Sequence, residues 1–68
     1  MATFLSKIGE QIRKERRLKG MSQEQLAEAS KIDPKSIIQI EAGKRNPTIK
    51  TLKRVASALH LPLSEITK

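Results

Sequence analysis

The 68-residue sequence contains no cysteine, tryptophan or tyrosine, and Phe4 is its one aromatic residue. Without cysteine, neither disulfides nor thiolate metal sites can staple the fold, and no redox compartment is implied. With so little aromatic material the core must be aliphatic, drawn from Ile, Leu, Val, Met and Ala, which suits helices. No apolar run approaches the roughly 18 residues of a membrane span, and the Phe4–Leu5 pair is too short for a signal-peptide core. A soluble, intracellular, cytoplasmic protein without a membrane partner is expected.

The sequence is equally poor in reactive groups. It has one histidine, His60, no paired carboxylates suited to a cleft, and no Gly-rich phosphate loop; Gly43–Lys44 lacks both the first glycine and the following Ser or Thr of a Walker motif. His60 fits better as a left-handed helix stop, a conformation histidine tolerates. A chain of this length buries only about 60% of its unfolded surface, so it is read as one small domain, residues 1–68, with little room for a large cleft. No catalytic residue, metal ligand, cofactor or small-molecule ligand is expected.

What the chain does have is positive charge, +7 overall. Residues 1–20 hold six basic and two acidic groups, residues 21–42 two and four, and residues 43–68 six and one. Basic segments thus flank a mildly acidic centre. Such a distribution attracts nucleic acid by steering and counterion release, although a solvated basic face that keeps a small domain soluble gives the same sum.

Local grammar is densest between residues 21 and 42. Ser22 and Gln25 are spaced as a capping box, with Met21 and Leu26 at the spacing of a hydrophobic staple. Eleven residues later the pattern repeats: Asp33 is a cap, Pro34 takes the first helical position, and Ile32 and Ile37 make a second staple. Two short helices, residues 23–29 and 34–42, therefore meet at a tight turn, the layout of a helix-turn-helix. The first buries Leu26, Ala27 and Ala29. The second buries Ile37 and Ile40, while Lys35, Ile38, Gln39 and Ala42 line up opposite with Pro34 beside them.

Flanking helices complete an all-α fold. Residues 4–19 place Phe4, Leu5, Ile8 and Ile12 on one stripe, with Thr3 or Ser6 as cap and Gly20 as left-handed stop. Gly9 inside that helix is unfavourable by about 1 kcal/mol relative to Ala and hints at close packing. Gly43 to Pro47 forms a loop. Thr48 then caps a helix with Ile49, Leu52, Val55, Ala56 and Leu59 inward, and Leu61 to Ile66 forms a last turn with Leu63 and Ile66 inward or in a dimer contact. Nothing reads as a strand, a repeat or a low-complexity segment.

These parts suit double-stranded DNA. The helix starts at Ser22–Gln23 and Thr48–Lys50 can each hold a phosphate on unpaired N–H groups, and Gln23, Lys44, Arg45 and Asn46 add side-chain donors. The exposed face of the second helix of the pair then meets base edges. Lys35 suits guanine, Gln39 adenine in a bidentate pair, Ser36 a base or phosphate, and Ile38 a thymine methyl.

The segments Ile8–Arg13, Gly20–Ala27 and Ile40–Thr48, with Glu41, Gly43, Lys44 and Pro47 at fixed spacing, resemble the helix-turn-helix family of phage repressors and Cro over roughly residues 8–66. The resemblance implies a compact five-helix DNA-binding domain that regulates transcription as a homodimer on a near-palindromic operator. It implies backbone contact by Gln23, Lys44, Arg45 and Asn46, base reading by Pro34, Lys35, Ile38 and Gln39, and a structural ion pair between Arg16 and Glu41 tying the first helix to the third; the plainer expectation for that pair is a loose surface contact. Three positions depart from the pattern. Lys31 stands where the family has glycine in the turn, Pro34 replaces a polar base-reader, and Glu15 replaces an apolar residue that nearby Leu18 can partly make good. With no second domain expected, the chain is similar to the stand-alone controllers of restriction-modification systems, notably at Phe4–Lys7 and Thr48–Lys50. The alternatives are a small phage or plasmid repressor, or an antitoxin or protein-interaction module that uses Ile38, Leu61, Leu63 and Ile66.

Overall fold

The computed structural model describes residues 3–68, and among them there are five helices and no strand. Helix α1 runs Phe4–Leu18, α2 Gln23–Ser30, α3 Pro34–Glu41, α4 Ile49–Ala58 and α5 Ser64–Thr67. Each start follows from its cap. The Thr3 hydroxyl accepts from the Ser6 N–H at 3.1 Å, so Thr3 and not Ser6 caps α1. At α2 the capping box closes in both directions, with Ser22 Oγ accepting from the Gln25 N–H at 3.0 Å and Gln25 Oε1 accepting from the Ser22 N–H at 2.8 Å. Asp33 accepts from the Lys35 N–H at 2.9 Å ahead of Pro34, and Thr48 accepts from the Thr51 N–H at 3.1 Å.

The first four helices stop in one way. Gly20, Lys31, Gly43 and His60 all have φ between 58° and 72°. The N–H that follows each reaches back to a carbonyl five residues earlier: Met21 to Arg16 at 3.1 Å, Ile32 to Ala27, Lys44 to Gln39 and Leu61 to Ala56 each at 2.9 Å. That pattern satisfies carbonyls the helix end would otherwise orphan. At Lys31 (φ 59°) and His60 (φ 58°) the side chain makes the turn unfavourable by roughly 1 kcal/mol or more.

Packing places α1 against α3 and α5, α2 against α3 and α4, and α4 against α5. The core is aliphatic: Ile8 and Ile12 from α1, Leu26 and Ala27 from α2, Ile37 and Ile40 from α3, Leu52, Val55 and Ala56 from α4, then Leu59 and Ile66. Met21 and Ile32, one residue ahead of their caps, pack on its edge as the staple spacing requires. Gly9 explains how α1 and α3 come so close. A Cβ there would collide with the backbone oxygen of Ile40 and lie 2.6 Å from that of Glu41, so only glycine lets the helices cross at this separation.

Four apolar residues expected to pack are exposed instead. Phe4, Leu18 and Ile49 are 67%, 71% and 58% exposed, and Ala29 is also exposed. Phe4 and Ile49 sit at helix starts, where the periodic stripe runs past the neighbouring helix and nothing covers it, and Leu18 ends α1 off the face of Ile8 and Ile12. Leu18 therefore does not make good the missing apolar residue at Glu15. In α1 the buried stripe instead continues from Ile8 and Ile12 to Arg16, a charged residue at core depth.

Candidate nucleic-acid interface

Helix α3 has two faces, and a different arginine grips each. Inward, Glu41 is 3% exposed and Arg16 8% exposed. Arg16 Nε donates to Glu41 Oε2 at 2.7 Å and Arg16 Nη2 to Glu41 Oε1 at 3.0 Å, a bidentate pair, while Arg16 Nη1 donates to the Met21 carbonyl at 2.8 Å. Gln23 Nε2 adds a bond to Glu41 Oε1 at 3.1 Å, and Arg13 a longer one at 3.4 Å. Burial opposes ionisation of Glu41, but the bonds from Arg16 and Gln23, the Arg16 charge and the Arg13 bond outweigh it and hold the carboxyl below its ordinary range. The pair is thus not a loose surface contact; it locks α1, the start of α2 and the end of α3 together. Among the described residues no buried side-chain nitrogen or oxygen lacks a partner.

Outward, Pro34, Lys35 and Ile38 are exposed and Ser36 and Gln39 half-buried. Ile38, 49% exposed, sits apolar in the middle of this polar strip. From the loop after α3, Arg45 Nη1 donates to Ser36 Oγ at 2.9 Å and to Gln39 Oε1 at 3.2 Å. Lys44, Asn46 and Lys50 are exposed beside it.

The two helix starts proposed as phosphate holders are unequal. Ser22 and Thr48 spend their hydroxyls on their own caps, so what each start has left is the first two N–H groups of the helix. At α2 the exposed Glu24 adds a negative charge in the first turn. At α4 Lys50 adds a positive one, which makes that start the better anion holder. Among the described residues no group of three or more His, Cys, Asp or Glu is placed to hold a metal, and no helix is long and apolar enough to cross a membrane.

A sequence model of the helix-turn-helix family matches residues 12–66. The chain belongs to this family. Its members are DNA-binding transcriptional regulators and not enzymes, and the five-helix arrangement is the one that solved relatives share. The restriction-modification controller protein C.AhdI from Aeromonas hydrophila superposes with a TM-score of 0.90 at 35% identity, covering 91% of this chain and 94% of that one. The controller protein C.Esp1396I gives 0.85 at 40% identity, covering 91% and 80%. The HTH-type transcriptional regulator SutR of Escherichia coli (strain K12) is 38% identical over 64 residues, 94% of this chain. The chain spans about a third (34%) of the length of that regulator.

In this helix-turn-helix chain, the structure brings Lys35, Ser36, Ile38, Gln39 and Arg45 into one strip at the surface and keeps Arg16 and Glu41 behind it. Three contacts are not legible in the sequence. Gln23 and Arg13 join the Glu41 network; Arg13 is three residues before Arg16 and so on a neighbouring edge of α1, which signals its place but not its bond. Arg45 turns onto α3 instead of outward, and that depends on loop geometry no local pattern specifies.

Proposed function

We propose that the protein regulates transcription by sequence-specific binding of double-stranded DNA, with residues 1–68 acting as one binding domain in the cytoplasm and as a homodimer on a near-palindromic operator. The observation that carries this reading is the outer face of α3: an apolar Ile38, 49% exposed, set between polar side chains and bracketed by a basic loop. A thymine methyl beside hydrogen-bonding base edges is the surface such a mixed strip complements. Lys35, Ser36, Ile38 and Gln39 face the bases, with Pro34 giving apolar contact only. Gln23, the N–H groups after Ser22 and Thr48, Lys44, Asn46 and Lys50 hold the phosphates on either side; one amide hydrogen of Gln23 is bound to Glu41, leaving the other for DNA. The likeness to two restriction-modification controller proteins supports a role of that kind here.

The end of the chain supports a dimer contact through Leu61 and Leu63, which are half-buried; Ile66 is spent in the chain's own core. Half-sites about one helical turn apart, 34–36 Å, follow from two copies reading one face of the duplex. Titration of binding to random duplex against salt tests the DNA reading: a steep negative slope of log affinity against log salt is expected, and a slope near zero refutes it. Sedimentation on and off DNA tests the dimer, which a strictly monomeric profile at high concentration rules out.

A further inference from the structure

Arg45 belongs to the basic loop after α3, but its side chain contacts α3 itself. Its Nη1 bridges Ser36 Oγ at 2.9 Å and Gln39 Oε1 at 3.2 Å, two side chains three residues apart on one edge of α3. The backbone delivers it there. Gly43 turns with φ 72°, and the Lys44 N–H closes back on the Gln39 carbonyl at 2.9 Å, so the next side chain starts beside the residue it holds.

We propose that Arg45 is a positioning residue that fixes the direction of the Gln39 amide and thereby sets which base Gln39 selects; this rests on the base-reading role proposed above. A guanidinium can only donate, so the oxygen of the Gln39 amide must face it, and the flipped amide would set NH2 against a cation with no acceptor between them. A free glutamine side chain presents its donor and acceptor in either order at little difference in energy. Adenine, which offers an N7 acceptor and an N6 donor side by side, accepts one order alone. Holding the oxygen removes the other order and with it the bases that order would suit. Ser36 is treated in the same way: with a lone pair accepting from Arg45, its hydroxyl hydrogen is turned away and is left to donate. In water these exposed bonds are weak, but a groove that excludes water strengthens them when the choice of base is made. Nε and Nη2 of Arg45 remain free to meet a phosphate, so positioning and backbone contact are compatible.

Selection from a duplex library randomised across two half-sites, carried out with wild type, Gln39→Ala, Arg45→Ala and the double variant, tests this. Gln39→Ala should lose preference at one base position by tenfold or so. Arg45→Ala should lose preference at that same position by roughly fivefold, the factor of one net hydrogen bond, and adding it to Gln39→Ala should change that position no further. Two results overturn the proposal: Arg45→Ala lowering affinity alike on all sequences with the preference intact, or losing preference at a different base, which would make Arg45 a reader in its own right. If Gln39→Ala itself leaves every preference intact, the base-reading role of Gln39 fails first and the positioning role falls with it, so the two failures are told apart.

Discussion

Arg16 and Arg45 both donate to oxygen acceptors on α3, the first to Glu41 at 2.7 and 3.0 Å, the second to Ser36 and Gln39 at 2.9 and 3.2 Å. Distances alone hardly separate them. Burial does: the Glu41 side chain has no exposed surface and the Arg16 side chain 10%, whereas the Arg45 bonds lie at the surface. Breaking the inner pair leaves a desolvated charge without a partner; breaking the outer contact lets water replace it. The inner cluster therefore holds the fold, whereas the outer contact can be removed at little cost to stability and is proposed to orient Gln39 toward DNA. One helix of eight residues carries both tasks because residues 37, 40 and 41 face inward while 35, 38 and 39 face out.

The largest expected effect comes from unpairing the inner cluster. Glu41→Ala should lower unfolding free energy by about 3–5 kcal/mol, a large part of what a chain of this size has, and denaturant titration should show it as a partly or wholly unfolded population. A fall of under about 1 kcal/mol would return the pair to the surface class. The same cluster sets an acid dependence. Because the Glu41 carboxyl is held below its ordinary range in the folded state, the unfolded chain binds the extra proton first. The Glu41 contribution is complete above the ordinary carboxylate pKa and is lost as pH falls through the depressed folded value. Denaturation midpoints followed through the acid range should decline in wild type and decline less in Glu41→Gln.

Next in size is the crossing that lets the pair form. Gly9→Ala should destabilise by roughly 1–3 kcal/mol by pushing α1 off the end of α3, with thermal unfolding as the readout; no loss would mean the helices separate freely. The smallest change should be a gain. Lys31→Gly relieves a left-handed side chain and should stabilise by about 0.5–1 kcal/mol, the strain removed less the added freedom of glycine in the unfolded chain. A loss of stability there would show that the Lys31 side chain holds something else.

Local features were readable from the sequence because they are decided locally. The four caps at Thr3, Ser22, Asp33 and Thr48 and the stops at Gly20 and His60 depend on residues within a turn or two, and each has its expected geometry. The outward turn of Ile38 was readable from phase alone. What failed depended on the partner. Phe4 and Ile49 satisfy the helical period yet find no helix opposite them, and periodicity cannot say how far a neighbour extends. In the interface strip, Lys35, Ile38 and Gln39 could be placed on one face from their spacing, and the Arg16–Glu41 pair from a family resemblance. The bonds of Gln23 to Glu41 and of Arg45 to Gln39 could not, since the first depends on the α1–α3 crossing at Gly9 and the second on the path of the loop after Gly43.

The proposed division of α3 into a holding face and a reading face is tested most directly on Gln39→Ala, with unfolding free energy and the ratio of selected-site to random-duplex affinity measured on the same protein. The expected result is a stability change within about 0.5 kcal/mol, as for an ordinary surface substitution, beside a loss of roughly 1–3 kcal/mol on the selected site that random duplex does not share. Equal losses on selected and random DNA, or a large loss of stability, would contradict it.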